Sequence, residues 1–157
     1  DMLENCQNPK HKLLITLLYS SGLRVSEVVK LQWTDVDFDR KILLVRSSKG
    51  NKDRITLLSE QAIKLLRKLN RGSKYIFAGR KGHLTIKSAQ KIVEKYSKGK
   101  IFCHSLRSSF ATHLLDNGEQ LSSISALLGH EKLQTTQIYL KVSTKGLENI
   151  QSPIDMD

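Results

Sequence analysis

The sequence predicts an α+β domain that is mainly helical, in which a helical bundle accompanies a small three-stranded antiparallel sheet. Leucines recur at helical spacing early in the chain, short β-rich runs divided by polar turns follow up to residue 57, and helical spacing returns from residue 59. A chain of 157 residues has the size of one ordinary domain, so we expect residues 1–157 to form a single unit.

The first third of the chain is predicted to hold two helices and three strands. Four leucines at helical spacing indicate a helix over residues 10–21, which Ser21-Gly22 would end. A second, shorter helix is predicted over 26–31. Strands are predicted at 36–38, 42–45 and 55–57. The Gly- and Asn-bearing segment 47–53 would join the last two strands as a hairpin, although it is long for a tight turn.

The rest of the chain is predicted to be helical. Ser59 suits the N-cap of a helix with one apolar stripe, and Gly72 lies beyond its end. Further helices are predicted over 85–97, 104–116, 120–128 and 133–140, two of them closed by Asn117-Gly118 and by Gly129. A polar tail over 146–157 carries three apolar residues at helical spacing. They are Leu147, Ile150 and Ile154.

The charge balance predicts a polyanionic partner. Lys and Arg number 26 against 15 Asp and Glu, which gives a formal net charge of +11 and a long-range positive field. Nucleic acid is the partner that fits this charge, and an inert basic surface is the alternative. No apolar run is long enough to span a membrane and no signal-peptide core is present, so we expect a soluble, cytoplasmic protein.

Metal ligands and cofactor motifs are not evident in the sequence. Cys6 and Cys103 can make no disulfide framework and lack the paired spacing of a zinc site, so we expect both to be reduced. No carboxylate pair suited to Mg²⁺ stands out. The expected cofactor is therefore none. The chain begins with Asp1 followed by Met2, which suggests a piece of something longer.

Single residues give weak signals that allow two interpretations each. His104 and Arg107 are three apart on one predicted helix face and can grip an anion, or they are an ordinary surface pair. Glu27 lies one helical turn after Arg24 and can orient its guanidinium, or the two form a surface ion pair of little value.

Towards the end of the chain, a histidine and a tyrosine offer a donor and a hydroxyl nucleophile. His130 follows Leu128-Gly129 at a helix end, and Tyr139 comes nine residues later. Alternatively, His130 is only a cap and Tyr139 a packed aromatic whose hydroxyl faces water.

Together, two Arg, two His, one Lys and a Tyr make up the set needed for metal-free phosphoryl transfer. The set supplies a nucleophile, cations for the nonbridging oxygens and a proton donor for the departing oxygen. A tyrosine phenol has a pKa of about 10, so it must lose its proton during attack or be assisted by nearby positive charge.

In four segments the sequence resembles the tyrosine recombinase (phage integrase) family, especially its Xer-type members in bacteria and archaea. The order and spacing of the segments also fit the family, and the resemblance spans about residues 10–145. The segments are Ser21-Gly22-Leu23-Arg24-Val25-Ser26-Glu27, Ser48-Lys49-Gly50-Asn51-Lys52-Asp53-Arg54, His104-Ser105-Leu106-Arg107, and Leu127-Leu128-Gly129-His130 followed by Tyr139.

The resemblance implies a role for each matching residue. Arg24 and Arg107 would hold the scissile phosphate and offset the charge of its transition state. His104 and His130 would assist by hydrogen bonding and proton transfer. Glu27 would position these residues without contacting the phosphate itself.

The resemblance also implies the covalent chemistry. Tyr139 would attack phosphorus to give a 3′-phosphotyrosine and a free 5′ hydroxyl, with neither metal nor ATP. Lys49 would protonate the leaving 5′ oxygen, with Lys52 on the same hairpin as its rival. Lys52 and Arg54 are expected to bind DNA.

Double-stranded DNA and further copies of the chain are the partners that the resemblance implies. Family members work as tetramers on two synapsed duplexes, and residues 146–157 would pack on a neighbouring copy. They usually carry an N-terminal helical domain that closes over the DNA, which we expect to be absent here. Such a fragment would bind DNA weakly.

Two other functions compete with this interpretation. A helix-turn-helix regulator would explain residues 119–140 and the charge, but it gives no purpose to Arg24, Lys49 or the His104 and Arg107 pair. A type IB topoisomerase shares the fold and chemistry, and sequence separates it poorly from a recombinase.

Overall fold

The computed structural model describes residues 2–46, 53–129 and 154. Its α-helices are α1 (Pro9–Ser20), α2 (Val25–Val28), α3 (Glu60–Lys68), α4 (Ile86–Ser97), α5 (Cys103–Asp116) and α6 (Leu121–Leu128). Its strands are β1 (Val36–Asp37), β2 (Ile42–Val45), β3 (Arg54–Leu57), β4 (Ala78–Gly79) and β5 (Gly82–His83). Within this part of the chain, no helix combines the length and apolar character that crossing a membrane requires.

The predicted fold class is confirmed: the domain is mostly helical and holds a three-stranded antiparallel sheet in the order β1-β2-β3. In the register of β2 and β3, Val45 faces Arg54 and Leu43 faces Thr56. The predicted helix over 133–140 and the hairpin linker 47–52 lie outside the described residues, and so does the tail apart from Ile154.

Helix α1 runs through the centre of the domain. It begins after Asn8, whose side-chain oxygen accepts hydrogen bonds from the amides of Lys10 (3.0 Å) and His11 (3.4 Å), and Pro9 suits the first turn. The helix contacts α3, α4 and α5, so its apolar residues are buried on several sides. Fully buried leucines of α1 are Leu13, Leu14, Leu17 and Leu18.

The buried apolar residues form two clusters. The first surrounds α1 and includes residues of α2, α3 and α4. The second joins the sheet to α5 and α6, and it consists of Ile42, Leu57, Phe110, Leu114, Ile124, Leu127 and Leu128. Each such Leu, Ile or Phe side chain contributes about 1.5–3 kcal/mol on burial. The second cluster therefore fixes β3, α5 and α6 against one another, and β3 and α5 carry Arg54 and Arg107 of the candidate site.

Two local features differ from the predicted elements. Helix α2 ends at Val28, earlier than the predicted residue 31, because the Leu31 carbonyl accepts a hydrogen bond from the Ile76 amide (3.0 Å) and the chain turns extended there. The hairpin of β4 and β5 was not predicted. Its strands have two residues each, which is too short for an apolar alternation to be visible.

Candidate active site

Three arginines from different elements converge on the carboxylate of Glu27. Arg24 donates from its backbone amide (2.8 Å) and from its guanidinium (3.3 Å). Arg54, the first residue of β3, donates from Nη2 to Oε1 (2.9 Å) and from Nη1 to Oε2 (2.5 Å). Arg107 of α5 places Nη1 3.8 Å from Oε1. In this group, called the arginine cluster below, three guanidinium groups share one carboxylate, so positive charge is in excess.

The cluster is buried on one side and open on the other. The side chains of Arg54, Arg107 and Glu27 are only 7%, 12% and 13% exposed, whereas that of Arg24 is 46% exposed. Charges removed from water are screened less and interact more strongly. An anion that approaches from the side of Arg24 would therefore meet the excess positive charge.

Main-chain carbonyls fix the orientation of the Arg107 guanidinium. Its Nη1 donates to the carbonyl oxygen of Gly22 (2.9 Å), and its Nη2 donates to that of Leu128 (2.7 Å). These acceptors belong to the loop between α1 and α2 and to the end of α6. Because a guanidinium has five N–H donors, Arg107 keeps donors for a further acceptor.

The loop between α1 and α2 is itself tied to β3. The Ser21 hydroxyl donates to the Leu57 carbonyl (2.5 Å), and the Thr56 hydroxyl donates to the Ser21 carbonyl (2.7 Å). Gly22 has φ +67°, and a Cβ at this position would lie 2.5 Å from the Phe110 ring. Only glycine fits this close approach, which brings the Gly22 carbonyl to Arg107.

The same β3 residue that pairs with Glu27 also holds the end of α6. Arg54 Nε donates to the Leu127 carbonyl (2.7 Å). Gly129 ends α6 in the left-handed conformation (φ +74°), and its Cα lies against the Arg54 side chain, because an added Cβ would be 2.6 Å from Arg54 Cδ. Arg54 thus joins the base of the β2–β3 hairpin to the residue that immediately precedes His130 in sequence.

Gly129→Ala is expected to lower the free energy of unfolding by about 2–4 kcal/mol, because the new methyl group adds a clash with Arg54 to the strain of a positive φ. Gly118→Ala is the matched control. Gly118 has φ +88° and open space around it, so the control should lose only about 1 kcal/mol. Urea denaturation measures both, and equal losses would contradict a tight contact between Gly129 and Arg54.

The electrostatics of the cluster favour an added anion. Burial raises the pKa of Glu27, but the hydrogen bonds and charge of Arg54 outweigh it, so this pKa lies below its usual value. Burial and the charges of Arg24 and Arg54 lower the pKa of Arg107 to about 10. Arg107 remains protonated at neutral pH, yet its charge is incompletely balanced. An anion such as a phosphodiester would restore the balance.

His104 lies on α5 one turn before Arg107 and is exposed. Its ring is parallel to that of Phe102, with centroids 6.1 Å apart and an interplanar angle of 3°. The three-residue spacing predicted a shared helix face, and α5 provides it. His104 is therefore accessible from solvent near Arg107.

The structure brings together Arg24, Glu27 and Arg107 of the predicted site residues, with His104 on the same helix as Arg107. Arg54, for which a DNA contact was predicted, is buried, and its Nε, Nη1 and Nη2 all donate to protein acceptors. These donors face Glu27 and Leu127, and the DNA contact of Arg54 stays a prediction. The remaining predicted residues, which lie outside the described residues, are Lys49, Lys52, His130 and Tyr139.

Sequence reasoning missed the ion pair of Arg54 with Glu27 and the carbonyl acceptors of Arg107. The available signal was an arginine at the start of an apolar strand, two residues before Thr56, which placed two polar residues on one strand face.

Residues 2–46 and 53–129 contain no group of three or more His, Cys, Asp or Glu that could hold a metal ion. Cys6 and Cys103 are buried and unpaired.

Residues 1–145 match the profile of the phage integrase family. The chain is 42% identical over 151 residues to tyrosine recombinase XerA of Pyrococcus horikoshii, covering 89% of this chain and 53% of the relative. It is 38% identical over 146 residues to tyrosine recombinase XerC of Corynebacterium glutamicum, covering 85% of this chain and 47% of the relative. The chain thus spans about half the length of these curated relatives.

Solved structures resemble the fold as well. The crystal structure of XerA recombinase superimposes with a TM-score of 0.76 at 29% identity, covering 94% of this chain and 59% of that chain. The XerH site-specific recombinase bound to difH substrate, in a pre-cleavage complex, gives a TM-score of 0.71 at 27% identity and covers 94% of this chain and 48% of that chain.

Proposed function

The chain belongs to the phage integrase family, and from this premise we propose that residues 1–157 are the catalytic domain of a site-specific DNA recombinase. The proposed reaction cuts and rejoins DNA strands through a covalent 3′-phosphotyrosine. The observation that carries the proposal is the arginine cluster, in which Arg24 and Arg107 present excess positive charge around one carboxylate. Such a cluster suits a phosphodiester whose charge grows in the transition state.

In the proposed reaction the arginines bind and the tyrosine attacks. Arg24 and Arg107 contact the nonbridging oxygens of the scissile phosphate, and Glu27 positions both guanidinium groups. The Tyr139 oxygen bonds to phosphorus as its phenol loses its proton, and the bond from phosphorus to the 5′ oxygen breaks. His104 and His130 assist by hydrogen bonding and proton transfer.

Resealing follows from the conservation of the ester bond. Lys49, or its rival Lys52, gives a proton to the leaving 5′ oxygen, which becomes a free hydroxyl. The 3′-phosphotyrosine is itself a phosphodiester. The 5′ hydroxyl of a second strand can therefore attack its phosphorus and displace Tyr139, and no ATP is needed. Neither a metal nor an organic cofactor has a part in this scheme.

The proposed substrate is double-stranded DNA in the cytoplasm, and the proposed assembly is a homotetramer on two synapsed duplexes. The net charge of +11 supports the DNA partner, and so does the XerH structure, in which that relative is bound to its difH substrate. Residues 146–157 are proposed to pack on a neighbouring copy. Self-association that is unchanged in a chain ending at residue 145 would count against this contact.

Duplexes carrying nicks at varied positions test the proposed reaction. When the cleavage site lies a few nucleotides from a nick, the short strand with the 5′ hydroxyl diffuses away and the covalent complex cannot reseal. Incubation in EDTA followed by denaturing electrophoresis should reveal a protein–DNA adduct that protease removes. A non-enzymatic regulator would give no adduct, and that result would overturn the proposal.

Salt dependence provides the control for DNA binding. Release of counterions predicts that the logarithm of the binding constant falls linearly with the logarithm of salt concentration, by about 0.9 per phosphate contacted. A binding constant that does not change with salt concentration would mean that any adduct forms without contacts to the phosphate backbone. That result would count against the DNA assignment. Relaxation of a single supercoiled duplex without strand exchange would favour a topoisomerase.

A further inference from the structure

An exposed phenylalanine marks the start of the helix that carries His104 and Arg107. Phe102 is 60% exposed, although its neighbours Ile101 and Cys103 pack into the first apolar cluster. Single exposed apolar residues are common on proteins, so exposure alone says little. The place of Phe102 in α5 is more informative.

Phe102 occupies the N-cap of α5, a place that favours Ser, Thr, Asp and Asn. Those residues accept a hydrogen bond from the first turn, but Phe102 offers no acceptor and no side-chain cap is present. Its carbonyl already accepts from the amides of Ser105 (3.0 Å) and Leu106 (3.4 Å), so the backbone conformation is that of a normal cap. The aromatic side chain therefore gives α5 none of the stabilisation that this position usually provides.

The surroundings of Phe102 are basic. Lys98 and Lys100 precede it and are exposed, and the first turn of α5 contains no acidic residue. The ring lies parallel to the exposed ring of His104. An aromatic ring beside cations and an uncapped helix N-terminus suits a polyanion that also has flat or apolar parts, as nucleic acid does.

We propose that Phe102 is a DNA-contacting residue, whose ring packs against the sugar or base of a nucleotide next to the phosphate held by Arg24 and Arg107. This inference rests on the proposed function and adds to it a sequence-tolerant, non-ionic contact. Lys98 and Lys100 contact the adjoining backbone phosphates. The aromatic ring at the N-cap thus contributes to substrate binding at the cost of helix stability.

The opposite signs of these two effects give the test. Phe102→Thr supplies a capping hydroxyl, so its melting temperature should rise by about 2–4 °C. Its affinity for a short fluorescent duplex of mixed sequence should fall about fivefold or more. Because the lost contact is non-ionic, the salt slope should stay unchanged, whereas Lys100→Gln should reduce the slope by about 1.

Two control variants separate the contact from general effects. Phe102→Tyr keeps the ring and should bind within about twofold of the unaltered chain. Leu115→Thr removes another exposed apolar side chain (52% exposed), roughly 20 Å away at the other end of α5, and should leave affinity unchanged.

Each other outcome overturns the inference. Equal affinity of Phe102→Thr and the unaltered chain would make Phe102 a bystander while leaving the proposed function intact. A lower melting temperature together with weaker binding would make its role structural. Failure of the unaltered chain to bind any duplex would remove the proposed function itself.

Discussion

Replacing Tyr139 with Phe is expected to abolish the covalent protein–DNA adduct, with a loss on the order of 10³-fold or more in the rate of its formation. The substitution removes only the oxygen that would bond to phosphorus. The arginine cluster is untouched, so noncovalent affinity for duplex DNA should stay the same. Denaturing electrophoresis with nicked duplexes measures the first effect, and fluorescence anisotropy measures the second.

Tyr75→Phe is the matched control for this substitution. Tyr75 lies beside β4, where its ring contacts His83 and Lys74 instead of the arginine cluster, and its loss of a hydroxyl should leave the adduct intact. Persistence of the adduct in Tyr139→Phe would assign the nucleophile to another residue. Loss of the adduct in both variants would point to a general defect.

Glu27→Gln is expected to lower the free energy of unfolding by about 3–5 kcal/mol, the usual effect of removing one partner from a buried ion pair. The substitution leaves three guanidinium groups facing each other, two of them little exposed. Adduct formation should also fall, because Arg24 and Arg107 lose their shared acceptor. Urea denaturation gives the stability change.

An exposed ion pair provides the comparison for Glu27→Gln. Glu60 pairs with Lys41, and both side chains are at least half exposed, so Glu60→Gln should change stability by less than about 1 kcal/mol. Similar losses in the two variants would contradict a special contribution from the arginine cluster.

The effect of Glu27 should also depend on pH. Its pKa is lowered in the folded chain, so its stabilisation is fully present above the unfolded pKa of about 4.3 and is lost as pH falls through the folded value. The stability gap between the unaltered chain and Glu27→Gln should therefore close only below about pH 4. A gap that closes near neutral pH would contradict the lowered pKa.

Local signals in the sequence predicted the main elements of the fold. Helix α3 begins after Ser59, whose hydroxyl accepts from the Ala62 amide (3.1 Å), as its N-cap role predicted, and α6 ends at Gly129. Helical and strand periodicities depend on neighbours along the chain, so they are visible without a structure. The β4–β5 hairpin was missed because its strands are too short to show such a period.

The candidate site was only partly predictable from the sequence. The spacing of Arg24 and Glu27 indicated their pairing, and that of His104 and Arg107 indicated a shared helix face. The burial of Arg54 depends on tertiary contacts with α2 and α6, which no local pattern reveals. An arginine next to a lysine-bearing hairpin suggests a DNA contact at the surface, whereas the Arg54 side chain is buried in the folded chain.

Arg107 is oriented by two acceptors that no substitution can delete, since the carbonyls of Gly22 and Leu128 belong to the main chain. The direction of this guanidinium is therefore set by the backbone of the loop between α1 and α2 and by the end of α6. Directed evolution of the domain could change much of its surface without disturbing that direction. A single insertion in that loop, or within α6 before Leu128, would displace one of these carbonyls and turn the guanidinium away from its present direction.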